Sequence, residues 1–254
     1  MAEQVCPHCG GSGWKIVERD GISGAEKCEC AKEGRSERLE EGAAIPLLYR
    51  NASFDSFQIP KDNDLAARDL SVTRQTVLNY AHEFPVAQKP GLLLIGDPGT
   101  GKTHLAVAAL RRIIAKGFQG IFFDYQNLLD RIRSGFDPNA GSTDREAYRD
   151  ALEAEVLLLD DLGAHRVLPW IEDVVTAIIT HRCNNRLALI ATTNLPDVDA
   201  GDRISQKLPD GTTDYRRTLA DQVGQRARSR LFEMCKVVHM PLVRDYRLRK
   251  AAGW

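Results

Sequence analysis

The segment GDPGTGKT, residues 96–103, follows a short aliphatic run and precedes a stretch whose apolar residues have helical spacing. It matches the pattern G-x-x-x-x-G-K-[ST], in which the glycines let the backbone wrap around a chain of phosphates. Backbone N–H groups and the N-terminus of the following helix then face the anions. We therefore expect a phosphate-binding loop in which Lys102 contacts the β- and γ-phosphates and the Thr103 hydroxyl ligates Mg²⁺.

Strand candidates alternate with helical stretches on both sides of this loop. The strands are expected at Leu92–Ile95, Gly120–Asp124, Val156–Asp160, Leu187–Thr192 and Lys236–Met240. The helices are expected at Asp64–Phe84, His104–Lys116, Gln126–Arg133, Arg145–Glu153, Trp170–Arg182 and Arg216–Cys235. Strands that alternate with helices predict an α/β fold with a parallel sheet sandwiched by helices.

Two of these strands end in polar residues that extend the phosphate-loop hypothesis. Asp160 closes the apolar strand VLLLD, where it can hold the shell of a magnesium ion. Asp161 would then orient or deprotonate the attacking water. Asn194 follows the strand that ends in ATT and can donate a hydrogen bond to the γ-phosphate or to that water. The alternative is that the two carboxylates only cap the following turn.

Four of the six cysteines lie within the first thirty residues, at Cys6, Cys9, Cys28 and Cys30. Their arrangement, CPHC followed by a spacer and CEC, suggests two ligand-bearing turns that close on one zinc ion. Four thiolates leave no open coordination position, so we expect a structural zinc that holds together a segment too small for its own core. Free thiols are the alternative, and His8 is a possible substitute ligand.

Composition permits a buried core and excludes some classes of protein. The chain has 254 residues, of which 43% are hydrophobic, but no aliphatic run approaches the roughly 20 apolar residues that cross a bilayer. The N-terminus has neither the basic nor the apolar region of a secretory signal.

The charge of the chain is balanced overall but not locally. A net charge of −1 excludes a uniformly basic nucleic-acid coat, although residues 216–250 hold ten basic and three acidic residues. Those arginines are either a solvated face or are directed at phosphate. We expect a soluble, cytoplasmic protein with no membrane partner.

The order of the motifs GDPGTGKT, VLLLDDLG, ATTN, RARSRLFEM and RDYRLR resembles that of the AAA+ ATPases. Within them the chain is most similar to the bacterial helicase loaders of the DnaC and DnaI type and to the IstB transposition ATPases. The stretch IPLLYRNASFDSF resembles the segment before their ATPase core, and the cysteine cluster resembles the zinc-binding helicase-contact domain of the DnaI branch. The resemblance implies an AAA+ P-loop ATPase domain at 43–254 and a small zinc-binding module with its linker at 1–42.

The resemblance also implies roles for individual residues. Arg230 matches the arginine finger that completes a neighbouring subunit's site, whereas Arg247 matches the sensor 2 arginine and Asn194 matches sensor 1. Surface arginines on an amphipathic helix are the alternative for Arg230 and Arg247. The implied catalytic residues are Lys102, Asp160, Asp161, Asn194 and Arg230. The residues implied to hold ATP are Gly96, Asp97, Pro98, Gly99, Thr100, Gly101, Lys102, Thr103, His104 and Arg247, with Mg²⁺ on Thr103 and Asp160.

One position departs from the AAA+ pattern. Asp161 stands where many AAA+ proteins have Glu, although the loaders often share the Asp. A side chain that is shorter by one methylene would slow hydrolysis, which suits a switch better than a motor.

In the loaders, single-stranded DNA lies along the helical element after the second strand. The matching stretch here contains Arg131, Arg133 and Phe136. The two arginines would pair with phosphates and the phenyl ring would stack on a base. A solvated arginine pair beside a core phenylalanine explains the same residues equally well.

The resemblance implies an ATP-dependent loader that places the replicative hexameric helicase on single-stranded DNA and self-associates through its ATPase interface. Its hydrolysis would be slow and stimulated by DNA or by the partner. The alternative within the family is a transposition helper that acts on duplex DNA with a transposase. Two further classes stay open: a small-molecule kinase, which would need an acceptor pocket and a lid, and a non-hydrolysing interaction protein whose zinc knuckle is the working part.

Overall fold

The computed structural model describes residues 6–10, 12, 14–19, 22–60, 63–135, 142–164, 168–197, 205–207, 213–215, 217–243 and 245–251. The N-terminal part contains a hairpin, β1 (Trp14–Arg19) and β2 (Ile22–Lys27), helix α1 (Glu29–Gly42) and a 3₁₀ turn at Leu47–Tyr49. The central part contains α2 (Asp64–Glu83), β3 (Gly91–Ile95), α3 (Lys102–Ile114), β4 (Gly120–Asp124), α4 (Tyr125–Gly135), α5 (Ser142–Glu153), β5 (Val156–Asp160), α6 (Pro169–Asn184) and β6 (Ala188–Thr193). The last part contains β7 (Ser205–Lys207), β8 (Thr213–Tyr215), α7 (Leu219–Val223), α8 (Gln225–Met234), β9 (Cys235–His239) and α9 (Tyr246–Ala251).

Five strands form one parallel sheet in the order β4-β5-β6-β3-β9. The connection from β3 runs to β4 at the far edge, whereas the connection from β6 runs in the opposite direction, past β3, to β9, so the chain changes direction beside β3. In open parallel sheets, ligands bind at the carboxyl ends of the strands beside such a point. The α/β sandwich expected from the sequence is therefore confirmed, with β4 and β5 at the predicted bounds.

The strand residues are apolar without alternation because helices cover both faces of the sheet. On β3, Leu92 and Leu94 pack into a core that α2 and α3 complete. Leu93 and Ile95 pack into a second core formed with helices α4 to α8. The sheet is thus buried on both sides, which fixes the positions of its strand ends. No helix among the described residues is long and apolar enough to cross a bilayer.

The single helix expected at Arg216–Cys235 is wrong, because the chain forms two helices there. Thr218 and Asp221 form a capping box that starts α7, since each side chain bonds the other residue's backbone N–H. Gly224 ends α7 with a φ of 83°, and a Cβ at this position would lie 2.9 Å from Cδ of Glu172 on α6. The positive φ therefore favours glycine at position 224, whereas the crowding comes only from the end of the flexible Glu172 side chain.

Arg182 on α6 is fully buried and has no carboxylate partner among its hydrogen bonds. Its guanidinium donates to the carbonyls of Ala151 at 2.9 Å, Ala154 at 2.8 Å and Ala188 at 2.5 Å. Burial lowers the pKa of Arg182 to about 9. This one side chain ties the end of α5 to the starts of β5 and β6.

The segment after α1 is fastened to the sheet edge. The carbonyl of Ala43 accepts a hydrogen bond from the N–H of Phe122 on β4 at 2.8 Å. Arg111 on α3 donates to Glu40 near the end of α1 at 2.6 Å and to the carbonyl of Ala52 at 2.8 Å. The chain before the sheet is thereby joined to the helix that follows the phosphate-binding loop.

Candidate nucleotide site and cysteine cluster

The glycine-rich loop 96–101 connects β3 to α3, as the sequence predicts. Gly99 and Gly101 have φ values of 75° and 93°, which favour glycine. A Cβ on Gly101 would lie 2.5 Å from Cε2 of Phe57, so the segment before α2 packs directly against the loop. The loop is therefore shaped by backbone conformations and close approaches that side chains would prevent.

Lys102, the first residue of α3, points back into the loop. Its ammonium donates to the carbonyls of Gly96 and Asp97, both at 2.8 Å, and to Oδ1 of Asn194 at 2.6 Å. Burial lowers the pKa of the Lys102 ammonium, an effect that the nearby carboxylates, chiefly Asp161 and Asp160, oppose. A cation lies in the loop, surrounded by groups that stabilise its charge.

Asp160 lies at the carboxyl end of β5 and is buried. Its Oδ1 accepts hydrogen bonds from Oγ1 of Thr103 at 2.9 Å and from Oγ1 of Thr192 at 2.6 Å. Burial raises the pKa of Asp160, while the hydrogen bond from Thr192 lowers it. The carboxylate and the Thr103 hydroxyl are a pair of hard oxygen ligands that suit Mg²⁺, which binds through one or two protein oxygens plus phosphates.

Asp161 adopts a φ of 55°, which is uncommon for a residue with a side chain. Its N–H donates to Oγ1 of Thr192 at 2.9 Å, and its Oδ1 accepts from Nδ2 of Asn194 at 3.0 Å. Asn194 therefore bridges Lys102 and Asp161, accepting from one and donating to the other. The ends of β3, β5 and β6 bring together the residues that the sequence suggested separately. Thr192 was missed because it reads as part of an apolar strand.

A cleft of about 680 Å³ opens beside the loop. Its volume lies within the range of small-molecule sites. Of the residues expected from the sequence, those that line it are Pro98, Gly99, Gly101, Lys102, Thr103, His104, Asp161, Asn194 and Arg247. Leu48, Tyr49 and Tyr246 complete the lining and were not expected. In the sequence, Leu48 looks like a core residue, whereas in the structure its side chain is 83% exposed. Exposure of this kind cannot be read from a sequence.

His104 lines the cleft, but its ring nitrogen Nε2 lies 2.8 Å from the carbonyl of Ser53 and 3.3 Å from Oγ of Ser56. Its ring also meets that of Phe57 edge-on, with 5.5 Å between the centroids. His104 thus holds the segment before α2 against α3. Contact of this side chain with a cofactor stays a prediction.

The two arginines expected at the nucleotide lie in different places. Arg247, on α9, is exposed and lines the cleft. Arg230, on α8, is not part of the cleft lining, and its half-buried side chain donates to Oε2 of Glu233 at 2.7 Å. The roles of both arginines at a nucleotide stay predictions.

The four N-terminal cysteines converge, and their Sγ atoms all lie within 4.8 Å of one another. Cys6 and Cys28 are 3.8 Å apart and Cys9 and Cys30 are 3.3 Å apart, measured between sulfurs. A tetrahedral zinc site with Zn–S bonds of about 2.3 Å places its sulfurs about 3.8 Å apart. The cluster therefore has the donor type and the spacing of a metal site, which His8 does not join.

The residues expected to touch DNA lie on or beyond α4. The guanidinium of Arg131 lies 5.5 Å from the ring centroid of Phe123 on β4, and Arg133 is exposed. Phe136 lies outside the described residues. Their contact with DNA stays a prediction.

Comparisons with known proteins agree with this geometry. The sequence profile of the IstB-like ATP binding protein family matches residues 31–206, more than half of the chain. The chain is 23% identical over 196 residues to the phage-like element PBSX protein XkdC of Bacillus subtilis (strain 168), covering 75% of this chain and 71% of that protein. It is 21% identical over 178 residues to the replicative helicase loader DnaC of Escherichia coli (strain K12), covering 68% and 69%.

Solved structures agree as well. The crystal structure of the DnaC helicase loader superimposes with a TM-score of 0.60 at 29% identity, covering 77% of this chain and all of that one (100%). The crystal structure of DnaI gives a TM-score of 0.54 at 18% identity, covering 80% and 97%, which supports the fold alone. With the AAA+ P-loop fold and the profile match together, the protein belongs to the IstB-like ATP-binding protein family.

Proposed function

We propose that this protein is an ATP-switched loader that places the replicative DNA helicase on single-stranded DNA. The observation that carries the proposal is the hydrogen-bonded network Lys102–Asn194–Asp161, which lies beside the Asp160–Thr103 pair at the ends of three adjacent strands. These groups bring a cation, an amide and two carboxylates together beside the cleft. The relatives named as helicase loaders support the choice of partner.

In this proposal the loop and Lys102 bind the phosphates, while Thr103 and Asp160 hold Mg²⁺. When bound, MgATP would supply the phosphoryl group that is transferred to water, with ADP as the leaving group. Asp161 is close enough to Asn194 for the pair to orient a water at that phosphate. Because Asp161 is short, we expect slow hydrolysis that DNA or the partner stimulates.

Arg230 is proposed to act on a neighbouring subunit's nucleotide, since it lies outside its own chain's cleft lining. A finger supplied in trans makes hydrolysis depend on assembly. The side chain of Arg230 on α8 is 43% exposed, which leaves it accessible to a second copy of the chain.

The cysteine cluster is proposed to bind zinc and to present residues 1–42 to the helicase. The family profile begins at residue 31, just after Cys30, so the cluster lies outside the part that the profile matches. This position favours the loader over the second candidate, a transposition helper acting on duplex DNA with a transposase, which needs only the matched core.

The experiment is a loading assay with the full chain, the replicative helicase of the same organism and a single-stranded DNA circle. We expect helicase on the circle only with this protein and MgATP. Lys102→Ala should abolish loading, since the phosphates lose their cation, and should lower MgATP affinity by about 100-fold or more, equivalent to about 2.7 kcal/mol. The matched control is Arg112→Ala, which removes an exposed cation from the same helix.

Loading that survives Lys102→Ala would contradict the site assignment. No helicase binding, combined with tight ATP-dependent binding of duplex DNA, would instead favour the transposition helper.

A further inference from the structure

The C-terminal helix α9 begins directly on the phosphate-binding loop. The backbone N–H of Tyr246, the first residue of α9, donates to the carbonyl of Gly99 at 3.1 Å. A Cβ on Gly99 would lie 2.7 Å from Cα of Asp245, a distance that real Cβ atoms do not reach. The approach is therefore between two backbones, and only glycine at position 99 allows it.

Asp245 organises the start of the same helix. Its Oδ1 accepts a hydrogen bond from the N–H of Arg247 at 2.8 Å, in the manner of a helix N-cap. Arg247 lines the cleft together with Lys102, and its charge contributes to the lowered pKa of that lysine. The two hydrogen bonds thus connect Gly99 of the loop to Arg247 through two consecutive residues.

We propose that the N–H of Tyr246 and the carboxylate of Asp245 are positioning groups, which fasten α9 to Gly99 and thereby hold Arg247 over the nucleotide cleft. The guanidinium sits on a long, flexible side chain, and it contributes to binding only if its helix is fixed relative to the loop. The loop is also the part of the chain whose N–H groups face the phosphates. A shift of Gly99 on nucleotide binding therefore moves Arg247 directly.

The test is a double-mutant cycle on the full chain, read out by titration with MgATP. Tyr246→Pro removes the N–H at the first helical position, where proline is tolerated. Tyr246→Ala is the matched control, because it removes the same side chain but keeps the N–H. We expect Tyr246→Pro to bind MgATP about three- to tenfold more weakly than Tyr246→Ala, the effect of about one hydrogen bond.

The interaction with Arg247 distinguishes positioning from a general structural effect. In the Arg247→Ala background, the difference between the proline and alanine variants should shrink to less than about twofold, because the group being positioned is gone. Asp245→Ala should also weaken MgATP binding, and this loss should also shrink in the Arg247→Ala background. It replaces Tyr246→Pro in the cycle if the proline variant does not fold. Equal affinities of the proline and alanine variants, or a difference that persists without Arg247, would overturn the proposal. Since only MgATP binding is measured, the result does not depend on whether the protein loads a helicase.

Discussion

The nucleotide cleft and the cysteine cluster are both sites assembled from distant residues, but different forces hold them in place. The polar groups of the cleft come from the ends of strands whose apolar residues are fully buried, such as Leu93 and Leu158. The cysteines come from a turn and a helix start beside a hairpin that leaves Trp14 52% and Ile16 84% exposed. The core therefore fixes the first site without its ligand, whereas the second site, if the thiols bind a metal as proposed, would depend on that metal.

The largest effect that this contrast predicts is the collapse of one site alone. Cys6→Ser, or a chelator that removes the proposed zinc, should unfold the segment around residues 6–30, because Cys28 is the only buried side chain among its described residues. Backbone amides there should exchange with solvent freely in hydrogen-exchange measurements, while those of β3 and β5 stay protected. Cys183→Ser, a thiol outside the cluster, is the control. If the amides of residues 22–27 exchange as slowly after chelator treatment as before it, the cysteine cluster does not depend on a metal and the prediction is wrong.

The next largest expected effect is a loss of stability in the buried part of the sheet domain. Arg182→Met should lower the free energy of unfolding by about 2–4 kcal/mol, because several buried carbonyls lose their donor. Urea unfolding followed by circular dichroism measures it. Arg186→Met, an exposed position just after the same helix, should change stability by less than about 0.5 kcal/mol. A small effect at Arg182 would mean that the carbonyls find other partners.

A smaller effect of opposite sign is expected at Asp160. Because burial raises its pKa in the folded state, the ionised carboxylate destabilises the fold, and stability falls as pH rises through that pKa. Asp160→Asn, which does not titrate, should be more stable than the parent at neutral pH by up to about 1 kcal/mol and should lose this advantage in acid. Thermal unfolding measured across pH checks this difference in stability.

Asp160→Asn should also bind nucleotide but lose tight Mg²⁺ binding and hydrolysis. An unchanged magnesium dependence would count against Asp160 as the ligand.

The smallest expected change is in the ATP affinity of Arg230→Ala as an isolated monomer, which should stay within about twofold of the parent. Hydrolysis stimulated by DNA or helicase should nevertheless fall, because fingers in trans are worth about 10³–10⁵ in rate where chemistry limits turnover. Mixing Arg230→Ala with Lys102→Ala subunits should restore part of the activity. Absence of recovery at every ratio, with both variants folded and co-assembling, would show that Arg230 does not act in trans.

Much of the sheet and of the cleft follows from local patterns. Apolar runs that end in Asp160 or Asn194 predict both the strands and the place where their ends meet, since parallel strands share a carboxyl edge. The missing parts are non-local. Arg182 looks like a surface residue of an amphipathic helix until α5 and β6 close around it. The contact between Gly99 and Asp245 spans more than half of the chain.

The hydrogen bond between Ala43 and the sheet edge fixes the C-terminal end of α1, so a tilt about this point would move the N-terminal end of the helix the farthest. The helix has 14 residues, so it extends about 21 Å from its fixed end to the cysteines at its start. A tilt of about 10° about Ala43 moves Cys28 by about 4 Å, given this length. The residues just beyond that pivot, Leu48 and Tyr49, line the cleft. If a rearrangement at these residues tilted α1 about Ala43, Cys28 would therefore be displaced farther than the residues that line the cleft.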